Sequence, residues 1–241
     1  MEDLERVRKI FYEDFHVPEE LPSPKDTDSA EYLAYILRVR AGASVLYVRE
    51  VLDAFSAVSK ALPHASTSVL YARALAELAA LTYYLRKNVR DAYQSSNLKV
   101  ALEWVHKSFS GNRYLKKFFT PDSPTFNGLP RPAGLEFVDP MDLAKATKCF
   151  SVEVLREKEE RLDYEFLSEV SHPNSAAIND HVRVDLQNRT VYFSRRPAEK
   201  DRWDSYVVRY AAHAALEIRG LIDLAKEIDP NHNENSSSHS A

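Results

Sequence analysis

Two Glu-x-x-His pairs, Glu103–His106 in "EWVH" and Glu169–His172 in "EVSH", are the residues of this chain whose types and spacing most directly suggest metal chemistry. An i, i+3 spacing puts a carboxylate and an imidazole on one face of a helix, and two such pairs on different helices form part of the di-iron carboxylate pattern of helical bundles. Glu77 could supply a third helix's carboxylate. A fourth ligand has no clean candidate, because Glu136 falls in a proline-rich loop and Glu153 and Glu157 are expected on the same helix as Glu169. With 20 glutamates and 8 histidines in 241 residues, chance alone supplies roughly 0.7 such pairs. No resident metal or cofactor is therefore expected, and the metal candidates stay at Glu77, Glu103, His106, Glu169 and His172.

Polar stripes on otherwise apolar helices carry a second set of candidates. Arg73 and Glu77 are the only charges between Ser66 and Leu85, and their i, i+4 spacing predicts a pair on one helix face. Such a pair is a structural tie or a ligand site, since charges inside a bundle require partners. Ser205, Arg209, His213 and Glu217 repeat the i+4 step, while Asp204, Arg219, Asp223 and Lys226 offer an alternative wet face. A third stripe, Arg161, Glu165, Ser168 or Glu169, and His172, ends at a helix C-terminus. There the carbonyl dipoles favour a protonated histidine, Pro173 stops the helix, and Asn174 can bond the freed backbone.

The segment "YEFLSEVSHPNSAAI" resembles the Y-x-x-LSE-x-x-HPN signature of a group of bacterial all-helical proteins without an established activity, and "LYARALAELAALTYYL" is similar to the R-x-x-x-E helix that precedes it there. The match covers about a third of the chain. That group is loosely HEPN-like, and HEPN domains include ribonucleases and partners in toxin–antitoxin and phage-defence systems. The resemblance implies one ligand site made from Arg73, Glu77, Ser168, Glu169, His172 and Asn174 with Pro173, and a bacterial stress or defence setting with RNA or a protein as partner. A HEPN-like ribonuclease would need a histidine for proton transfer and an arginine for the charged transition state, separated by four to six residues. Here "RYAAH" leaves only three between Arg209 and His213, and ten separate Arg161 from His172. His172, His213 and Arg209 remain the catalytic candidates of that alternative.

The elements that must position these groups follow from the breakers. Only 5 residues are glycine and 12 are proline, so long uninterrupted intervals are expected to be helices. The N-terminal "MEDLERVRKIFYEDF" reads as an amphipathic helix closed by Pro18, Pro22 and Pro24. Further helices are predicted over Ser29 to Leu62, Ser66 to Arg86, Asp91 to Phe109, Asp139 to Cys149, Val152 to His172 after a break near Phe150 and Ser151, and Asp201 to Ile228. Residues 120 to 140 hold five prolines and form a loop. "HVRVDLQNRTVYF" switches to a period of two, which predicts a β-hairpin over 182 to 193. The tail 229 to 241 has no large apolar residue and is expected to be disordered.

The composition, 44% hydrophobic and 28% charged with a net charge of −4, belongs to a chain that can bury a core and has no wholesale attraction to nucleic acid or anionic membranes. A single cysteine, Cys149, expected in the core, excludes an internal disulfide and suits a reducing, cytoplasmic compartment. No apolar run is long enough for the roughly 30 Å hydrocarbon layer. Gly-rich phosphate loops, nucleophile elbows and Cys/His zinc spacings are absent. The basic groups "RKNVR" at 86 to 90 and Arg195–Arg196 read as solvated ends. The expectation is an all-α multi-helix bundle over 1 to 228, with the hairpin inserted before the last long helix and the helices Ser66 to Arg86, Val152 to His172 and Asp201 to Ile228 at its centre. Its function is expected to be binding or regulation through the Arg/Glu/His site, with homo-oligomers compatible with the apolar helix faces.

Overall fold

The computed structural model describes residues 2–61, 65–110, 125–126, 129–130, 141–155, 167, 182–185, 187, 190–193 and 200–229. Among the described residues its packed body is all-α and includes six helices: α1 (Glu2–Lys9), α2 (Ala30–Ala61), α3 (Ala65–Gln94), α4 (Leu98–Ser110), α5 (Leu143–Glu153) and α6 (Lys200–Ile228). Among the described residues no helix is long and apolar enough to cross a membrane.

Local chemistry sets most of the boundaries. The acidic residues of α1 lie in its first turn and the basic ones in its last, as the helix dipole favours. The chain then widens into a π turn, Ile10–Asp14, closed by the Phe15 N–H on the Ile10 carbonyl. Arg49 of α2 donates to the carbonyls of Phe11 and Phe15, 2.9 Å each, and so satisfies groups that the end of this turn leaves open. Ser29 caps α2 by accepting from the Tyr32 N–H at 3.1 Å, and Asp142 caps α5 by accepting from the Lys145 N–H at 3.1 Å.

The predicted break between Arg86 and Asp91 is corrected by the structure: α3 runs unbroken to Gln94. What ends it is a Schellman turn, in which the N–H groups of Ser96 and Asn97 bond the carbonyls of Tyr93 and Ala92, with Ser96 at φ 56°. Asn97 then starts α4, its side-chain oxygen accepting from the Val100 N–H. The predicted break at Phe150 and Ser151 is corrected likewise. α5 continues through both to Glu153, and the N–H groups of Val154 and Leu155 close its last turn on the Phe150 carbonyl. Of the helix expected over Val152 to His172, the first two residues belong to α5, and 156–166 and 168–172 lie outside the described residues.

The most extensive packing is between α3 and α6, followed by α2 on α6, with α4 and α5 flanking α3. Arg38, early in α2, reaches Asp229 just beyond the end of α6, so these two helices run antiparallel. Arg86 pairs with Glu217 and Arg90 with Glu227, so α3 and α6 run in the same direction. Phe55, Leu75, Leu85, Tyr210 and Ile218 are fully buried in the shared core, while the N-terminal arm inserts Phe11 and Phe15. Among the described helices the middle layer is therefore α2, α3 and α6; of Val152 to His172, expected at the centre as well, Leu167 is fully buried in the same core.

Strand pairs occur in two intervals of the chain, one between α4 and α5 and one between α5 and α6. Thr125–Phe126 pairs antiparallel with Leu129–Pro130 inside the proline-rich segment. Over 182 to 193, Val182–Asp185 pairs antiparallel with Thr190–Phe193, Val184 opposite Val191. The helical body itself contains no strand. Residues 230–241, expected to form a disordered tail, lie outside the described residues.

Candidate functional site

The helix α3 meets α5 through side chains paired at i, i+4 on each side. Tyr83 and Lys87 project from α3, Cys149 and Glu153 from α5, and the Glu153 carboxylate collects all of them. Lys87 Nζ lies 2.6 Å from both of its oxygens, Cys149 Sγ donates to Oε1 at 3.0 Å, and Tyr83 Oη donates to Oε2. Lys87 Nζ is also 3.9 Å from Cys149 Sγ. Lys87 and Glu153 are 36% and 37% exposed, so water reaches both members of the pair.

This arrangement moves the titration of each group further from neutral pH. Hydrogen bonds from Lys87, then Tyr83, then Cys149 bring the Glu153 carboxyl down to about 2. Desolvation, followed by the hydrogen bond to Glu153 and its negative charge, pushes both the Tyr83 phenol and the Cys149 thiol up. The hydrogen bond to Glu153 raises Lys87 in turn. A group that shuttles protons near neutral pH needs a matching pKa, and a nucleophilic cysteine needs an accessible thiolate. This cluster instead holds one carboxylate, one ammonium, one phenol and one thiol in fixed protonation states.

One residue earlier on α3, Arg86 points toward α6. Its Nε and one terminal nitrogen donate to the same oxygen of Glu217, at 3.1 and 2.6 Å, and the two side chains are only 21% and 8% exposed. The guanidinium crosses α6 at Gly220, where an added Cβ would lie 2.9 Å from Arg86 Cδ and Nε. Gly220 is thus the residue that lets the arginine reach its partner. Arg86 also lies 5.6 Å over the Tyr83 ring, and Phe150 packs edge-on against both Tyr83 and His213, at 5.9 and 5.8 Å between ring centres. Aromatic rings therefore join the α5 cluster to the α6 pair.

Of the residues singled out in the sequence, Arg73 and Glu77 pair at 2.7 Å and are half-buried on α3. Glu77 shares a face with Tyr84, seven residues on, and Tyr84 packs edge-on against Trp104 of α4 at 5.5 Å. Arg86, nine residues beyond Glu77, projects half a turn away. Arg73 and Glu77 thus belong to the α4 side of α3, while His213 sits with Phe150 and Tyr210 on another. The stripe on α6 turns inward along the helix: Ser205 is exposed, Arg209 and His213 half-buried, Glu217 buried. Arg209 also stacks 5.7 Å over the Tyr206 ring. The alternative wet face holds for Arg219, Asp223 and Lys226, which are exposed, and not for Asp204, which is half-buried. On α4, Glu103 is exposed and His106 half-buried. Among the described residues no group of three or more His, Cys, Asp or Glu side chains is placed to hold a metal ion. Arg161, Glu165, Ser168, Glu169, His172, Pro173 and Asn174 lie outside the described residues.

Two expectations are corrected here. The basic run at 86 to 90 is no solvated end, because Arg86, Lys87 and Arg90 each bridge to another helix. Cys149, expected in an apolar core, is half-buried in a polar cluster. A signal for that cluster was present in the i, i+4 pairs Tyr83/Lys87 and Cys149/Glu153.

No protein-family model, curated protein or solved structure matches the chain.

Proposed function

We propose that this chain is a helical binding or regulatory protein of a reducing, cytoplasmic setting, whose polar groups around α3 recognise a ligand rather than transfer protons. The observation that supports this is the Glu153 carboxylate, held ionised by three donors while Tyr83, Lys87 and Cys149 are all pushed up. Preorganised charge of this kind suits recognition, whereas acid–base catalysis at neutral pH requires groups poised to change state. The likeness of the LSE-x-x-HPN segment to bacterial helical proteins supports a stress or defence role for the same reading, with Arg73, Glu77, Ser168, Glu169, His172 and Asn174 contributing a second patch.

The rival is a metal-independent ribonuclease, and what favours it is the shared face of Arg209 and His213 on α6. Incubation of the purified protein with single-stranded RNA, beside thermal-shift titrations with small anions and RNA oligonucleotides, separates the two. Saturable stabilisation by a ligand, lost in Lys87→Met, without RNA turnover is the expected result. RNA cleavage that disappears in a folded His213→Ala variant would replace binding with catalysis.

A further inference from the structure

The Glu153 carboxylate sits where a bound ligand would sit. Both of its oxygens are engaged, and the donors come from two helices: Tyr83 and Lys87 from α3, Cys149 from α5 one turn before Glu153 itself. Tyr83 and Lys87 stand on a helix that α4 and α6 also pack against, which fixes the backbone they project from. Glu153, by contrast, is the last residue of α5. Among the described residues the neighbouring cation, Arg86, is matched by Glu217, and the donors to Glu153 include one ammonium, one phenol and one thiol. A planar carboxylate offers its two oxygens to these donors, as the Glu153 carboxylate itself does. The exposure of Lys87 and Glu153, about a third each, leaves the cradle open to solutes.

From this geometry we infer that Tyr83, Lys87 and Cys149 form a binding site for a small carboxylate, which the chain's own Glu153 fills as a tethered competitor. The inference rests on the binding role proposed above and names its ligand class. A tethered group competes at an effective concentration on the order of millimolar, so a natural ligand must make contacts beyond its carboxylate to displace Glu153. Displacement frees the last turn of α5 from α3, which couples occupancy of the cradle to the position of that turn.

Glu153→Ala vacates the cradle and makes the test direct. Acetate and propionate are titrated, at ionic strength held constant with chloride, into the native protein, Glu153→Ala, and Glu153→Ala combined with Lys87→Met, and thermal midpoints are followed. The expected result is saturable stabilisation of Glu153→Ala, at least tenfold weaker in the native protein and absent in the double variant. Equal responses of native and Glu153→Ala, or a response that survives loss of Lys87, would overturn the inference. Should Glu153→Ala fail to fold by circular dichroism, Glu153→Asp, one methylene short of the cradle, takes its place with the same expectations. Phosphate is titrated in parallel: a folded variant that binds phosphate but no carboxylate sinks the carboxylate inference alone. One that binds neither, in a protein that also takes no RNA, sinks the binding role as well.

Discussion

Arg86 and Lys87 are adjacent cations on one helix, each paired at 2.6 Å with a glutamate from another helix, yet they stand in different solvents. Arg86 enters the seam between α3 and α6, where Glu217 is almost fully enclosed. Lys87 turns a further 100° and meets Glu153 at a seam open to water. Equal distances therefore conceal unequal consequences. In the enclosed seam, removing one partner strands a charge; in the open seam, water takes the partner's place.

The most damaging way to probe this contrast is Glu217→Ala. It leaves the Arg86 guanidinium half-buried without its carboxylate, and a loss of about 3–5 kcal/mol in urea unfolding is expected, as for other broken buried pairs. Next comes Gly220→Ala. The added methyl group would push Arg86 aside, costing about 1–3 kcal/mol of strain and pairing against a gain of about 1 kcal/mol in helix propensity. In a Glu217→Ala background, where Arg86 no longer has to cross Gly220, the same change should turn neutral or stabilising. A thermodynamic cycle showing no coupling between positions 217 and 220 would refute the crossing argument.

At the open seam, Lys87→Met should cost about 1 kcal/mol or less, and the difference from the native protein should shrink in high salt. The smallest expected effect is a titration. Because the folded Glu153 carboxyl is depressed from 4.5 to about 2, the pairing stabilises the fold fully above the ordinary carboxyl value and that stabilisation is lost as the pH falls through about 2. Carbon-13 NMR of the Glu153 carboxyl should show that low midpoint and, since Lys87 is its leading cause, a midpoint returned toward 4.5 in Lys87→Met. An unchanged midpoint would shift the credit to Tyr83 and Cys149.

How much of this was legible in the sequence depends on whether a feature is local. Proline clusters, Ser29 and the continuous apolar pattern placed α2 and α6 within a residue of their ends. The boundary of α3 was misread because charged "RKNVR" looks like a helix end when its acceptors, Glu217, Glu153 and Glu227, lie between 66 and 137 residues away. The true end has no glycine; it uses Ser96 in a left-handed conformation that non-glycine residues seldom adopt. The Arg73–Glu77 pair was readable because both members share one helix. The Tyr83/Lys87 and Cys149/Glu153 pairs each look like ordinary surface spacing until α5 docks on α3 and makes them a single cluster.

The N-terminal arm carries one more consequence. Its π turn is held by two hydrogen bonds from Arg49, its rings Phe11 and Phe15 stack at 5.4 Å inside the bundle, and Arg219 of α6 lies over Phe15. Residues 2 to 15 act as a plug between α2 and α6. A chain shortened to begin at Ser29 would uncover the apolar surfaces that Val7, Phe11 and Phe15 now cover, creating a sticky groove. Proteolytic removal of residues 2 to 28 should therefore lead to self-association.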